Sequence, residues 1–356
     1  MSFVLKNGLY VEKAATDMMV AFDSEQAMVD GWMRPFFWRR RNTDQLSGIY
    51  RQQSIDDQLR IYDVALAPGV RDSLPESSFE LDADIFFKNG AFGIETVIDY
   101  VENAAADPVI NYASRQTQDA IFKFFNSIES IAVGTLRNPA ILTSSIALSN
   151  AQRFDNYAST QSNPIAALVA AKMQIEQDTG KTMNRVGIDS LVWEHGFKLN
   201  PYALARCPVQ VAPQIMGAGA TLTKELLEKI LEIPEGSIQI YKKRYNPSRK
   251  GEPSNRRRSH LGSDIVCAYV EDPNQSSVGF GHETSFTGLS ELPSDYPFAV
   301  LTYEDPKSGL YGSQRARVVS LMGWTVTRQQ SAVKITNTVD LTDLTKYGYQ
   351  GFPVLD

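Results

Sequence analysis

Apolar residues recur at helical spacing most clearly in residues 162–201. Asn163 and Pro164 form a helix start signal, because an asparagine side chain caps free N–H groups and proline suits the first helical position. Gly180 can take the left-handed conformation that ends a helix. The apolar stripe between these signals consists of Ile165, Leu168, Val169 and Ile175. The pattern therefore predicts a helix between residues 163 and 180.

Further regular elements surround this helix. The pattern predicts a short buried strand over residues 185–188 and a helix or turn over 191–199, so that helix, strand and helix form a compact α/β layer. Asp107 and Pro108 repeat the start signal, and apolar residues keep helical spacing up to Gly134. Residues 108–134 are thus predicted to form the longest helix in the chain.

The second half of the chain alternates between strand signals and polar connections. Thr223 can cap a helix over residues 224–231, and residues 138–161 are predicted to form a loop because they are rich in Ser, Asn and Ala. Strands are predicted over 238–241, 265–270, 299–303, 315–321, 325–327 and 333–339. The mixture predicts an α+β protein.

The first hundred residues lack a self-sufficient pattern. Residues 1–48 carry many large apolar side chains without one regular repeat, which predicts an extended arm that packs on its own body or on a neighbour. Residues 49–100 are β-rich, with an outgoing limb at 50–64 and a return at 79–87 and 92–98. An isolated two-stranded hairpin is marginal in water. We therefore expect an obligate oligomer.

Composition excludes several classes of protein. The chain has 356 residues, 43% of them hydrophobic, and a formal net charge of −6, which gives no global attraction to nucleic acid. Cys207 and Cys267 are too few for a disulfide framework, and a reduced, cytoplasmic place of synthesis is expected. The N-terminal sequence lacks the apolar core of a signal peptide, and no membrane association is expected.

A search for catalytic motifs finds no positive support for an enzyme. His195, His260 and His282 are the only histidines, and none has metal-ligand spacing. The sequence GAGATLTK lacks the adjacent glycine and lysine of a phosphate-binding loop, and VGFGHE lacks the third glycine of a dinucleotide site. We expect no catalytic residue, cofactor or metal.

Residues 242–258 are strongly basic, with eight Lys or Arg and one Glu. The cations are Lys242, Lys243, Arg244, Arg249, Lys250, Arg256, Arg257 and Arg258. They could neutralise phosphates, pair with acidic patches on adjacent subunits, or remain solvated on a loop without a specific role. Tyr245 is the only aromatic residue among them, which argues against a stacking surface for single strands.

The order of these elements resembles that of tailed-bacteriophage major capsid proteins. NPIAALVAAKMQIEQDTGKTMNRVGIDSLVWEHGFKLNP is similar to their central stretch, with a helix, a glycine, an asparagine-led strand and a tryptophan-containing helix ending near Asn-Pro. The resemblance continues through TLTKELLEKILEIPEGSIQIYKKRYN and HLGSDIVCAYVEDPNQSSVGFGHETSF. It covers residues 107–339 and lies in the ordered series rather than in one motif.

The resemblance implies an α+β, Hong Kong 97-like capsid fold. Its parts would be an N-terminal arm (1–48), an extended E-loop hairpin (49–106), a P-domain with a long spine helix and the central α/β layer (107–199), an A-domain (200–300), and P-domain return strands with a C-terminal tail (301–356).

The implied function is that of a major capsid protein that assembles as hexamers and pentamers into an icosahedral shell around double-stranded DNA. The side chains expected to be buried on adjacent subunits are Phe36, Phe37, Trp38, Ile55, Leu59 and Ile61. The implied partners are further copies of the chain, a separate scaffolding protein, a portal, decoration proteins and non-specifically contacted DNA. The implied location is the virion, after synthesis in the bacterial cytoplasm. The alternative is an encapsulin-like bacterial compartment.

Overall fold

A computed structural model of the protein describes residues 3–5, 9–29, 31–50, 84–106, 112–205, 222–246, 258–272, 278–288, 297–308 and 311–341. The helices are α1 (Lys13–Val29), α2 (Met33–Phe37), α3 (Tyr100–Ala105), α4 (Tyr112–Arg137), α5 (Pro164–Thr179), α6 (Pro201–Ala205) and α7 (Lys224–Leu231), with a π-helical segment at Val192–Lys198 and a 3-10 turn at Gln329–Ser331. The strands are β1 (Phe3–Leu5), β2 (Leu9–Val11), β3 (Arg39–Thr43), β4 (Ser47–Tyr50), β5 (Ile85–Lys88), β6 (Gly90–Asp99), β7 (Ser145–Ala147), β8 (Arg185–Asp189), β9 (Ile238–Tyr241), β10 (Ile265–Ala268), β11 (Gly281–Phe286), β12 (Phe298–Asp305), β13 (Ser313–Val326) and β14 (Ala332–Thr336).

The long strand β13 organises a seven-stranded sheet in the order β1-β2-β12-β13-β11-β3, with β6 also paired to β13. The pairs of β13 with β6, β11 and β12 are antiparallel, whereas β3 pairs in parallel with β11 at the edge. Helix α4 packs on this sheet through Phe124 and Phe125, whose ring centroids lie 6.1 and 5.2 Å from that of Phe298. This packing explains why the apolar stripe of α4 is long.

A second sheet of five strands has the order β7-β14-β10-β8-β9. Its core is built with apolar residues of α5 and α7, and the fully buried members include Leu168, Ile175, Ile188, Leu227 and Ile265. Strands from both sides of the predicted boundary at residues 199 and 200 meet here, because β8 precedes that boundary and β9 and β10 follow it. The sheet therefore contains strands from both sides of the boundary that the resemblance implies.

The predicted start and stop signals are confirmed for α5 and α7. The Asn163 side chain accepts a hydrogen bond from the N–H of Ala166, and Gly180 ends α5 with a φ of 67°. The Thr223 side chain accepts a hydrogen bond from the N–H of Leu226. The predicted helix over 108–134 is α4, which begins at Tyr112 within the described residues.

Other predictions need correction. The first 48 residues are not simply extended, because they contain the 17-residue helix α1, and their strands β1, β2 and β3 join the seven-stranded sheet. The predicted loop over 138–161 contains β7, and the predicted strands over 315–321 and 325–327 are one continuous strand, β13. Gly323 allows β13 to pass close to the end of β5, because a Cβ there would lie 2.5 Å from the carbonyl oxygen of Lys88.

The predicted hairpin is described only at its base. Strands β4 and β5 form a two-stranded antiparallel ribbon, with Ser47 opposite Lys88 and Tyr50 opposite Ile85. Residues 51–83 lie outside the described part of the chain. The segment 92–98 was predicted as part of the return limb, but it belongs to β6 and pairs with β13.

Candidate assembly surface

One face of the β4–β5 ribbon rests on the body of the protein. The Tyr50 ring stacks on Phe87 with centroids 4.7 Å apart, and it meets the His282 ring edge-on at 4.6 Å. Phe87 is 6% exposed and His282 is 3% exposed. Side chains alternate between the faces of a strand, so anchoring Tyr50 and Phe87 fixes which residues point outward.

The opposite face of the ribbon is apolar and open. Ile49 and Phe86 lie directly opposite each other in the register and are 47% and 74% exposed. Opposed residues in an antiparallel pair have Cβ atoms about 4.5–5.5 Å apart, so Ile49 and Phe86 form one continuous apolar strip. We call Ile49 and Phe86 the ribbon strip.

The electrostatics beneath the ribbon are set by Arg41. Its guanidinium lies over the Tyr50 ring, 4.6 Å from the centroid. Burial lowers the pKa of His282 to about 4, and Arg41 lowers it further in the same direction. Burial raises the pKa of the Tyr50 hydroxyl, an effect that Arg41 partly offsets. At neutral pH a neutral tyrosine of the ribbon therefore contacts a neutral histidine of the body, beside one fixed positive charge.

A buried ionic cluster anchors the arm next to this site. The Arg34 guanidinium pairs with Asp23 of α1 and donates to both Glu283 oxygens, at 2.9 and 2.8 Å. Arg40 also bridges Asp23 and Glu283, at 2.6 and 3.1 Å. Burial alone would raise the pKa of Glu283, but the two guanidiniums outweigh it and lower that pKa. Arg34 and Arg40 therefore hold α1 to the seven-stranded sheet.

Helix α2 is positioned by a second buried carboxylate. Glu129 of α4 accepts hydrogen bonds from the backbone N–H groups of Met33 and Arg34, at 2.8 and 3.0 Å. Burial raises the pKa of Glu129 to about 7, although both N–H groups, Arg34 and Lys243 act to lower it. Side chains of Phe36, Phe37 and Trp38 are oriented by this attachment.

The prediction that Phe36, Phe37 and Trp38 are buried on adjacent subunits is wrong for two of them. Phe37 and Trp38 are 0% and 2% exposed within a single chain, because they fill the core between α2 and β10 and leave no area for a neighbour. Phe36 is half-buried, edge-on to Phe37 at 5.1 Å and 5.0 Å from the Arg185 guanidinium. The other three predicted contacts, Ile55, Leu59 and Ile61, lie outside the described residues.

The basic residues 242–258 are described only at their two ends. Arg244 donates to both oxygens of buried Asp189, at 2.9 and 3.1 Å, and to Ser190 Oγ at 2.7 Å. The Lys243 ammonium lies 4.6 Å from the centroid of the Trp32 ring. Lys243 and Arg244 therefore attach the loop to the body, whereas Lys242 is exposed.

The loop is closed at its base by backbone pairing. Tyr245 and Arg258 exchange two N–H···O hydrogen bonds of 2.8 and 2.9 Å. The Tyr245 ring also stacks on His260 at 4.2 Å. The remaining cations of the predicted basic run, Arg249, Lys250, Arg256 and Arg257, lie outside the described residues.

Within the described part of the chain, no group of three or more His, Cys, Asp or Glu side chains is arranged to hold a metal ion. None of the described helices is both long enough and apolar enough to cross a membrane. His195, His260 and His282 come from separate elements of the fold, and His282 serves as the seat of the ribbon. Sequence reasoning missed the ribbon strip, because SGIY and IFFK do not alternate between polar and apolar residues and so do not show which side chain is exposed.

No protein-family model and no curated protein matches the chain. Solved structures do match. A phage-related protein from Bordetella bronchiseptica RB50 is 15% identical with a TM-score of 0.63, covering 95% of this chain and 98% of that one. A putative prophage capsid protein from E. coli CFT073 is 13% identical with a TM-score of 0.50, covering 94% and 99%.

A virus-like particle from Pyrococcus furiosus is also similar, at 9% identity and a TM-score of 0.50, covering 91% of this chain and 100% of that one. At these identities the likeness shows the fold and not the function. It spans nearly the whole length of this chain and of each of the three similar chains. The chain therefore has the α+β fold of Hong Kong 97-type phage capsid proteins, as the order of its sequence elements predicts.

Proposed function

We propose that this protein is the major capsid protein of a tailed bacteriophage. It assembles through itself, as hexamers and pentamers, into an icosahedral shell that encloses double-stranded DNA. Its role is structural and involves no catalytic turnover. The proposal is supported by the fold shared with the putative prophage capsid protein and the virus-like particle, and by the open ribbon strip.

The ribbon strip is the observation that carries this proposal. Phe86 is 74% exposed on a ribbon whose other face is firmly seated, so the strip cannot turn inward to hide its apolar side chains. Burying one phenylalanine side chain is worth about 1.5–3 kcal/mol. A contact of this size is weak alone, but a closed shell repeats it at every symmetric position. The strip therefore suits contact with another copy of the chain.

The parts of the subunit follow from the resemblance. Residues 1–48 serve as the arm and residues 49–106 as the E-loop hairpin, whose base is the described ribbon. Residues 107–199, 200–300 and 301–356 contribute to the P-domain, the A-domain and the return strands with the tail. Within the hairpin, Ile55, Leu59 and Ile61 extend the apolar contact with the neighbour.

The basic loop supplies the contact with DNA in this proposal. The four cations between Tyr245 and Arg258 neutralise phosphates without reading sequence, while Lys243 and Arg244 keep the loop attached. A scaffolding protein, a portal and decoration proteins are further partners, and the mature location is the virion. Synthesis takes place in the bacterial cytoplasm.

Electron microscopy of the overexpressed protein, alone and with candidate scaffolding proteins, tests the proposal. We expect ring-shaped capsomers or uniform closed shells. Phe86→Glu should prevent closure, because a buried charge at the contact is costly, whereas Phe86→Leu should assemble. Unchanged thermal unfolding of the two isolated subunits separates assembly from folding. A monomer under every condition would contradict the shell function.

The content of the shells tests the DNA part separately. Shells isolated from infected or induced cells should protect double-stranded DNA from nuclease. Shells that instead contain a protein cargo and no nuclease-protected DNA would support an encapsulin-like compartment and overturn the phage assignment.

A further inference from the structure

A groove of about 480 Å³ lies at the base of the ribbon, between β3 and β4. Its lining includes Arg41, Asp44, Ile49, Tyr50 and Phe87. Ile49 belongs both to this groove and to the ribbon strip. The groove is therefore continuous with the surface proposed to contact another copy.

Arg41 is the one cation that lines the groove, and it forms no ion pair with any described residue. Its strand neighbour Arg40 is paired with Asp23 and Glu283 on the other face of the sheet. Asp44 also lines the groove, but no ion pair joins it to Arg41. A guanidinium stacked on an aromatic ring still presents the N–H donors at its edge. Tyr50 therefore holds the Arg41 guanidinium in place, and the N–H groups at the edge of that guanidinium remain able to donate hydrogen bonds.

Tyr50 adds a second unsatisfied group. Its hydroxyl oxygen is buried and has no hydrogen-bond partner among the described residues. A buried hydroxyl without a partner is less stable than one that forms a hydrogen bond. The groove thus contains a fixed cation, an unpaired hydroxyl and the apolar sides of Ile49 and Phe87. This combination suits a carboxylate side chain carried on a partly apolar segment.

We infer that the groove receives a carboxylate side chain from residues 51–84 of a neighbouring copy. That segment contains eight Asp or Glu against three Arg and no Lys, with apolar residues interspersed. An arginine binds a carboxylate through two parallel hydrogen bonds, which adds geometric specificity to the charge attraction. The inference rests on the proposed shell function, because the donor is a second copy in the assembly.

A zero-length cross-link tests this contact in assembled shells. Arg41→Lys keeps the charge and supplies an amine. A carbodiimide then condenses that amine with an adjacent carboxylate to form an amide, and the carbodiimide takes up the lost water and becomes a urea. Shells made from equal amounts of isotopically light and heavy chains distinguish links within a chain from links between chains by mass spectrometry. Arg39→Lys is the matched control, since Arg39 is exposed on the same strand and outside the groove.

The expected result is an amide between position 41 of one chain and an Asp or Glu of residues 51–84 of another. Its yield should be roughly tenfold or more above that from position 39, because coupling requires the two groups to be held together. Normal shells in which position 41 links only within its own chain, links to another segment, or links no better than position 39 would overturn the inference and leave the shell function standing. Failure of the wild-type chain to form shells would contradict the proposed function itself.

Discussion

At the residue scale, the charges of the arm divide into those that hold the fold together and those left for contacts. Arg34 is 2% exposed and satisfies Asp23 and Glu283, which are themselves buried. Removing one partner of a buried ion pair leaves an uncompensated charge, whose cost exceeds the value of the pair itself. Arg40 contributes to the same cluster but is 27% exposed, so water can replace part of its contribution.

Arg34→Met should therefore lower the free energy of unfolding by about 3–5 kcal/mol. Arg40→Met should cost clearly less, because Glu283 keeps both hydrogen bonds from Arg34. Urea unfolding of the isolated subunit, followed by tryptophan fluorescence, measures both. Equal losses for the two variants would show that the cluster does not depend on the more deeply buried arginine.

His282 makes the contact between the ribbon and the body of the protein sensitive to pH. Its pKa in the folded state is lowered to about 4, chiefly by burial, from an ordinary value of 6.5. Between those values the unfolded chain binds a proton that the folded chain does not. The titration of His282 therefore costs no stability above pH 6.5. As the pH decreases from 6.5 towards 4, the free energy of unfolding falls by about 1.4 kcal/mol per pH unit.

His282→Phe should keep the aromatic contact with Tyr50 and remove this titration. We expect the variant to gain stability relative to the wild type as pH is lowered from 7 to 5, in paired urea titrations. His260 and the carboxylates titrate in both proteins, so they cancel in the difference. A constant difference across this range would mean that His282 is protonated as easily in the folded chain as in the unfolded one.

At the element scale, close packing between α2 and β8 attaches the arm to the five-stranded sheet. A Cβ at Gly187 of β8 would lie 2.8 Å from Phe37 Cε2 and 2.9 Å from Met33 Sδ. Glycine at this position therefore allows the helix to sit directly on the strand. Gly134 of α4 is different, because a Cβ there would meet nothing within 4 Å.

Two alanine substitutions should consequently have opposite effects. Gly187→Ala should destabilise the subunit by about 1–3 kcal/mol, since α2 must shift to relieve the overlap. Gly134→Ala should stabilise it by about 0.4–1 kcal/mol, because alanine lowers the entropy of the unfolded chain and suits a helix. Chemical denaturation of the two variants measures both signs. If both variants lost the same amount of stability, the backbone conformation of glycine, rather than the contact with α2, would explain the effect of the substitution at position 187.

The elements differ in how far the sequence could predict them. Helices α5 and α7 were predictable because their signals are local: a capping side chain, a proline or a glycine, and one apolar stripe. Strand β7 was not, because its three residues acquire strand geometry by pairing with β14, almost two hundred residues away. The arm was mispredicted for a similar reason. Its aromatic residues have no periodicity of their own, since residues of α4, β9, β10 and β14 provide the core around Phe37 and Trp38.

At the scale of the whole molecule, the order of elements predicted the fold. The solvent exposure of individual side chains, which the sequence does not give, determined which residues belong to the candidate assembly surface. The structure separates four aromatic residues that lie in segments without a clear hydrophobic pattern: Phe36, Phe37, Trp38 and Phe86. The sequence alone does not show which of these side chains are buried within the subunit. The structure buries Phe37 and Trp38 and leaves Phe86 open. The same distinction applies to the basic run, where Arg244 is half-buried and paired with the buried Asp189, although its sequence neighbours look equivalent.

The proposed DNA contact of the basic loop can therefore be tested separately from the attachment of the loop to the body. Replacing Arg249, Lys250, Arg256 and Arg257 together with Ser or Gln should leave the free energy of unfolding nearly unchanged. It should lower the amount of nuclease-protected DNA per shell or make its retention more sensitive to salt, because each lost phosphate contact reduces the released counterions. Arg244→Met should do the reverse: it should destabilise the subunit, since Asp189 is 1% exposed and loses its paired cation. Denaturation of subunits and DNA measurements on purified shells provide the two readouts. Full DNA content and unchanged salt sensitivity in the fourfold variant would assign these cations no part in packaging, whatever the stability of the Arg244 variant.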